Sequence, residues 1–182
     1  MSRDLVERAR GGDRAAFEAL AAGEVDRLHA IARLMMRDSD LAEDAVQETL
    51  VRCWRHLPSL RDAGRFDAWL YRLLMRSISD EFRRRRRFEA NVRAVPVEPS
   101  VTDETAAIAN REQLEQGFQR LSLEHRAIVV LRHYLDLPFD EAAAVLGVPA
   151  GTARSRYHYA MAALKTALEA EARTPGHAGV PA

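Results

Sequence analysis

The chain has 182 residues, 47% of them hydrophobic, and its 27 Lys and Arg balance its 27 Asp and Glu. That length suits one medium domain or two small ones, and the apolar fraction is too high for a disordered chain. No run approaches the roughly 18 uninterrupted apolar residues that span a membrane, and residues 1–10 are charged where a secretory signal needs an apolar stretch. The single cysteine, Cys53, excludes an internal disulfide and a Cys-based zinc site. These features point to the cytoplasm, with no membrane insertion by this chain.

Helix formers dominate, and no Val/Ile/Thr-rich alternating run marks a strand. Residues 14–36 read as one helix or two, with Phe17, Leu20, Leu28, Ile31 and Leu34 at apolar positions. Residues 41–57 form a second helix, ended by Pro58. Its Ala45, Leu50, Cys53 and Leu57 can face a core, while Asp44, Gln47, Glu48 and Val51 lie along another side. Stacking Asp44 on Glu48 at i, i+4 is unfavourable within a helix. The row is therefore either a solvated face or a docking surface for a basic partner.

Residues 66–87 form a third helix. Phe66, Trp69, Leu70, Leu73, Leu74, Ile78 and Phe82 fall on one face. Opposite them run Arg72, Arg76, Ser79 and Arg83, and the five arginines at 83–87 extend the charge. A helix dipole asks for a cation only in its last turn, so such a run suits a polyanion, which arginine binds bidentately or by stacking. The loop just ahead holds Arg61, Asp62 and Arg65, polar groups that could sit beside an unstacked base. Trp69 belongs to the apolar face; Tyr71 lies nearer the basic side, and its spacing decides neither for a core place nor for base stacking.

Residues 91–109 carry Pro96, Pro99, Ser100, Thr102 and Thr105 and read as a flexible acidic linker. Helical pattern resumes at 110–121. Ser122 is a plausible N-cap for the next helix, which reaches about 135. Residues 139–158 then have the layout of a helix-turn-helix: a short helix with Ala143 at the tight crossing, Gly147 to end it, Val148 in the angle, and a second helix from about 152 to 170. Ala153, Tyr157, Ala160, Leu164 and Leu168 share its inner face. Thr152, Arg154, Ser155, Arg156 and His158 lie on or beside the other face, and no acid occurs from 151 to 167. A helix entering a major groove needs donors near its N-terminus and nothing to repel phosphate; an ordinary helical hairpin with a solvated face is the plainer alternative. Residues 171–182, rich in Gly, Pro and Ala, read as a disordered tail.

The order of these parts resembles an extracytoplasmic-function (ECF) sigma factor. Three stretches carry the likeness: DSDLAEDAVQETLVRCWRHL at 38–57, FDAWLYRLLMRSISDEFRRRRR at 66–87, and residues 121–168 with LGVPAGTARSRYHYAMAALKTAL; the opening LVERARGGDRAAFEAL at 5–20 also suits the family. Leu74, Met75 and Arg76 depart from an Ala-Arg-Asn-like run usual in the family, and Tyr159 and Met161 stand where a further basic residue is common; these departures bear on which promoter is read.

The resemblance implies an all-α fold of two small helical domains joined by a flexible linker, the second containing the helix-turn-helix. Residues 1–90 would dock core RNA polymerase and recognise and melt the −10 element; residues 110–170 would read the −35 element. Asp44, Gln47, Glu48 and Val51 would meet the polymerase clamp coiled coil, with the flap a second polymerase contact. Arg61, Asp62, Arg65, Arg72, Arg76, Ser79, Arg83 and Arg84 would serve the −10 element, and Thr152, Arg154, Ser155, Arg156 and His158 the −35 element. Neither cofactor, metal nor catalytic residue is implied. An anti-sigma factor is an expected partner, able to hold the chain at the membrane. A stand-alone helix-turn-helix regulator is the alternative, but it would leave the acidic helix and the distant arginines without a role. The sequence holds no metal-protease, phosphate-loop or nucleophile-elbow motif to favour an enzyme.

Overall fold

A computed structural model describes residues 3–36, 38–91 and 115–172. Helices α1 (Arg3–Arg10), α2 (Arg14–Met35), α3 (Ser39–His56) and α4 (Phe66–Asn91) build an N-terminal unit, with the short 3₁₀ turns Leu57–Ser59 and Ala63–Arg65 between α3 and α4. Residues 115–120 are helical. Together with α5 (Leu123–His133), α6 (Phe139–Leu146) and α7 (Ala150–Ala172) they form a C-terminal unit. No strand occurs among the described residues. Most of the linker assigned to 91–109, residues 110–114 and residues 173–182 lie outside them.

Local chemistry sets the helix starts. The Asp13 carboxylate accepts the Ala16 N–H at 3.0 Å, and Asp38 accepts the N–H groups of Asp40 and Leu41. The Ser122 hydroxyl accepts from His125, as its place before an apolar run suggests. Pro58 cannot continue α3, and the chain tightens there into a 3₁₀ turn. Helix α4 runs to Asn91, past the expected end at 87, since arginine is a good helix former and no breaker intervenes. Gly147 ends α6 at φ 67°, ψ 34°, the left-handed cap that glycine adopts without a Cβ penalty.

The core of the N-terminal unit sits where α2, α3 and α4 meet, with Leu20, Leu28, Ile31, Leu57, Leu70, Leu74 and Ile78 almost wholly buried. In the C-terminal unit α5 and α6 pack on α7 through Ile128, Leu131, Ala142, Ala153 and Ala160. The two units are not independent: α6 lies against α4 and α5 against the end of α2, so that one apolar cluster runs through both. This packing gives α4 a second buried side. Tyr71 and Met75 are 2% and 7% exposed, although neither belongs to the apolar face read from the sequence. Leu34, expected at an apolar position, is instead 38% exposed.

Candidate nucleic-acid and protein interfaces

Helix α4 carries different charges on different sides because each residue turns the helix by about 100°. One side faces α3 across a groove of about 500 Å³ lined by Asp44, Gln47, Glu48, Val51, Arg52 and Asp80, among others. Asp44, Gln47, Glu48 and Val51, the expected docking row, are all exposed along it. Ion pairs stitch the groove: Arg52 reaches Glu48 at 2.8 Å and Asp80 at 2.9 Å, and Arg84 reaches Glu81 at 2.7 Å and Asp44 at 3.4 Å. Burial disfavours the Arg52 charge, but its two carboxylate partners outweigh this and hold its pKa above the ordinary value. Arg85 bonds to Asp38 at 3.0 Å, the same carboxylate that caps α3. Arg84, grouped in the sequence with the −10 residues, is therefore placed on the side of α4 that faces α3. Two members of the arginine run are tied to acids of α3 rather than presented to a polyanion.

The other side of α4 presents the basic stripe. Arg72, Arg76, Ser79 and Arg83 line a cleft of about 220 Å³, across which stand Leu123, Glu124, Leu146 and Arg156 of the C-terminal unit. Arg72 and Arg76 form no ion pair among the described residues, and the Arg72 Nε is buried without an acceptor there. Arg83 is held by Asp80 at 2.7 Å. The Ser79 hydroxyl donates to the Met75 carbonyl at 2.8 Å and is already occupied. Arg61, Asp62 and Arg65 are exposed in the loop ahead, where the Asp62 carboxylate accepts the Gly64 N–H at 2.9 Å.

Tyr71 is not available for stacking: it is buried, with the Arg27 guanidinium of α2 5.5 Å from its ring. Burial pushes its hydroxyl pKa up to about 12. Trp69 is half-buried against the core, as its place on the apolar face suggests.

On α7, Arg154, Ser155 and His158 are exposed, and Thr152 and Arg156 are half-buried. Arg156 faces the interunit cleft beside Glu124. The Glu124 carboxyl is held below its ordinary pKa chiefly by its own backbone N–H, with further help from Ser122 and Arg156. Between the units, Arg126 is 7% exposed. It donates to the Met35 carbonyl at 2.6 Å and to Gln119 at 2.7 Å, with its guanidinium 5.4 Å from the Phe82 ring.

Residues 20–88 match the family described as Sigma-70 region 2, and residues 117–166 match Sigma-70, region 4. The ECF RNA polymerase sigma factor SigL of Mycobacterium tuberculosis is 37% identical over 137 residues, 72% of this chain and 77% of its own length. The chain belongs to the ECF sigma factors. The RNA polymerase sigma-E factor of Streptomyces avermitilis is 33% identical over 153 residues, 84% of this chain and 85% of its own length. Two solved structures share the fold. CnrH in complex with the cytosolic domain of CnrY has a TM-score of 0.69 at 27% identity, covering 93% of this chain and 97% of that one. RpoE in complex with the anti-sigma factor NepR, from Bartonella quintana, has a TM-score of 0.70 at 26% identity, covering 84% and 96%.

This sigma factor is thus an initiation factor that directs RNA polymerase to promoters, and not an enzyme. Both sigma regions in one chain set aside the stand-alone regulator. No helix among its described residues is long and apolar enough to cross a membrane. Sequence reasoning missed three features of the sigma factor: the buried Arg126; Trp54, 43% exposed yet 4.8 Å from the Phe17 ring; and the cluster of Phe139, Asp140 and Arg154 at the start of the helix-turn-helix. The short helix was legible, but which of its side chains touch α7 depends on the crossing of two helices, which no local period encodes.

Proposed function

We propose that the N-terminal unit docks core RNA polymerase through Asp44, Gln47, Glu48 and Val51 and captures the −10 element as single strand. In this reading Arg72, Arg76 and Arg83, with Arg61, Asp62 and Arg65, hold the unpaired strand, and α7 reads the −35 element in duplex through Arg154, Ser155 and His158, with Arg156 and Thr152 toward phosphate. The observation that carries this is the division of α4. Arg84 is engaged with α3, whereas Arg72 and Arg76 hold charge with no carboxylate partner among the described residues. An unneutralised guanidinium beside a cleft suits phosphate, and a captured base offsets the few kcal/mol lost on unstacking.

The stripe faces the C-terminal unit, so reading both elements requires the units to part. The linker read from the sequence at 91–109 has 19 residues; at roughly 3.3 Å each these reach at most about 60 Å, on the order of 18 base pairs at roughly 3.4 Å per step. The two similar solved structures are complexes with the cytosolic domain of CnrY and with the anti-sigma factor NepR. By likeness, this chain works in the cytoplasm and is restrained by an anti-sigma factor, at the membrane if that partner is anchored there.

Holoenzyme carrying Arg72→Ala and Arg76→Ala tests the reading. It should still bind promoter duplex through α7 but show fewer permanganate-reactive thymines near the −10 element. Normal opening in the double variant would reduce the stripe to a solvated helix face.

A further inference from the structure

We propose that Phe139 and Asp140, at the start of the short helix α6, are positioning residues that fix the pose of Arg154 for base reading. The inference rests on the reading of Arg154 as a −35 contact and adds what holds it. Asp140 Oδ1 lies 3.2 Å from Arg154 Nη2. The Arg154 guanidinium carbon lies 5.8 Å from the centre of the Phe139 ring. That ring is itself fixed. Arg132 sits over it at 4.6 Å while donating to the Leu137 carbonyl. Tyr157 packs edge-on at 5.3 Å, its hydroxyl 2.9 Å from His133 Nε2.

A guanidinium reads guanine only when its plane and two of its N–H groups meet O6 and N7 together. The side chain is long, so an arginine left free in solvent must be ordered at binding, and prior ordering spares that cost. Asp140 occupies one donor of the five, which leaves an edge available to a base, and the aromatic face constrains the plane. The ion pair is exposed on both sides, at 57% and 77%, and such pairs add little stability. Its consequence is geometric.

The plainer role for Asp140 is to complement the dipole at the start of α6, where Pro138 supplies no side-chain cap. The two roles predict opposite outcomes. A carboxylate beside a DNA-reading helix repels phosphate, so its removal should raise general affinity. If it also orders Arg154, removal should lower sequence discrimination at the same time. A helix-stabilising residue would lower binding to all sequences alike.

The test uses holoenzyme with full-length chains carrying Arg154→Ala, Asp140→Ala, Phe139→Leu or Phe139→Tyr, in competition binding against promoter duplexes randomised across the −35 element. Arg154→Ala should flatten preference at one base pair. Asp140→Ala and Phe139→Leu should reduce discrimination at that same base pair by about threefold to tenfold, a fraction of what a whole bidentate contact supplies. Asp140→Ala should bind non-specific duplex at least as well as the parent, and Phe139→Tyr, which keeps the aromatic face, should retain the preference. The proposal is overturned if Asp140→Ala and Phe139→Leu keep full discrimination while Arg154→Ala loses it; the base-reading role of Arg154 would then still stand. Uniform weakening on every sequence, together with a lower melting temperature, would also overturn it. Unchanged preference in Arg154→Ala would instead remove the underlying reading of α7.

Discussion

The two units of this sigma factor are built with different materials. Among the described residues, the N-terminal unit fully buries large side chains: Leu20, Leu28, Ile31, Met35, Leu57, Leu70, Leu74 and Ile78. The C-terminal unit buries Ile128 and Leu131 to the same degree, and its α6 and α7 are sealed largely by alanines at 142, 143, 153 and 160. Alanine lets two helices cross closely, as the helix-turn-helix requires, but it removes little apolar area from water, and burial energy scales with that area. The C-terminal unit compensates by leaning on α4 and α2. Charge differs in the same way. Across α3 and α4 the acids and arginines neutralise one another in a fixed groove, whereas the outer face of α7 keeps its donors exposed. The contrast teaches that the N-terminal unit has the larger interior of its own, while the C-terminal unit draws part of its burial from α4 and α2.

The largest expected effect lies in the docking groove. Asp44→Arg combined with Glu48→Arg should abolish co-purification with core polymerase while leaving the helical circular dichroism intact. Asp44→Asn alone, which removes one of the two carboxylate partners of Arg84 without adding repulsion, should weaken capture much less. Undiminished capture by the double reversal would remove α3 from the docking role and with it half of the comparison.

Core truncations test the other half. Leu74→Ala opens the wholly buried centre of the N-terminal unit and should cost about 2–5 kcal/mol in urea unfolding. Leu164, 6% exposed in a small cluster with Leu121, Val129 and Ala160, should cost no more than the lower end of that range when cut to alanine. If Leu164→Ala proves the more damaging, the C-terminal unit has the stronger interior and the contrast fails.

Most of this architecture is legible in the sequence because the helices are strongly periodic and end in recognisable chemistry. Ser122 and Gly147 mark a start and a stop, and the interior positions of α7, from Ala153 to Leu164, fall where a 3.6-residue period puts them. The exposure of Asp44, Gln47, Glu48 and Val51 follows from the same period. What escapes is what one helix does to another. The role of Tyr71 cannot be decided from its spacing because its neighbour Arg27, on α2, lies more than 40 residues away in the chain. Arg84 reads as part of a basic run, yet one residue beyond Arg83 is a turn of about 100°, enough to bring it to Asp44. Leu34 looks internal by spacing but is left exposed near the end of α2.

The smallest expected effect concerns the seam between the units, where Arg126 is the connecting side chain. Met35 is the last residue of α2, so its carbonyl belongs to the helix end, where partial negative charge gathers and a cation is favoured. The Arg126 guanidinium donates to that carbonyl and to Gln119 of its own unit, with Phe82 of α4 alongside. A hydrogen bond from a charged donor contributes about 1.5–3 kcal/mol, which converts to at least a tenfold shift between closed and parted arrangements. Arg126→Gln should therefore widen the distance distribution between spin labels at Ser59→Cys and Thr166→Cys, both exposed sites on different units. The native Cys53 should not interfere, because it is buried and its thiol pKa is pushed up to about 12. The same change should expose the Arg72 and Arg76 stripe and so raise the affinity of the free protein for single-stranded −10 oligonucleotide. An unchanged distance distribution would mean that the apolar contacts of α6 on α4 hold the units together without Arg126. A wider distribution with no gain in single-strand binding would separate the seam from the stripe, leaving the cleft a packing feature and not a cover over the DNA-reading face.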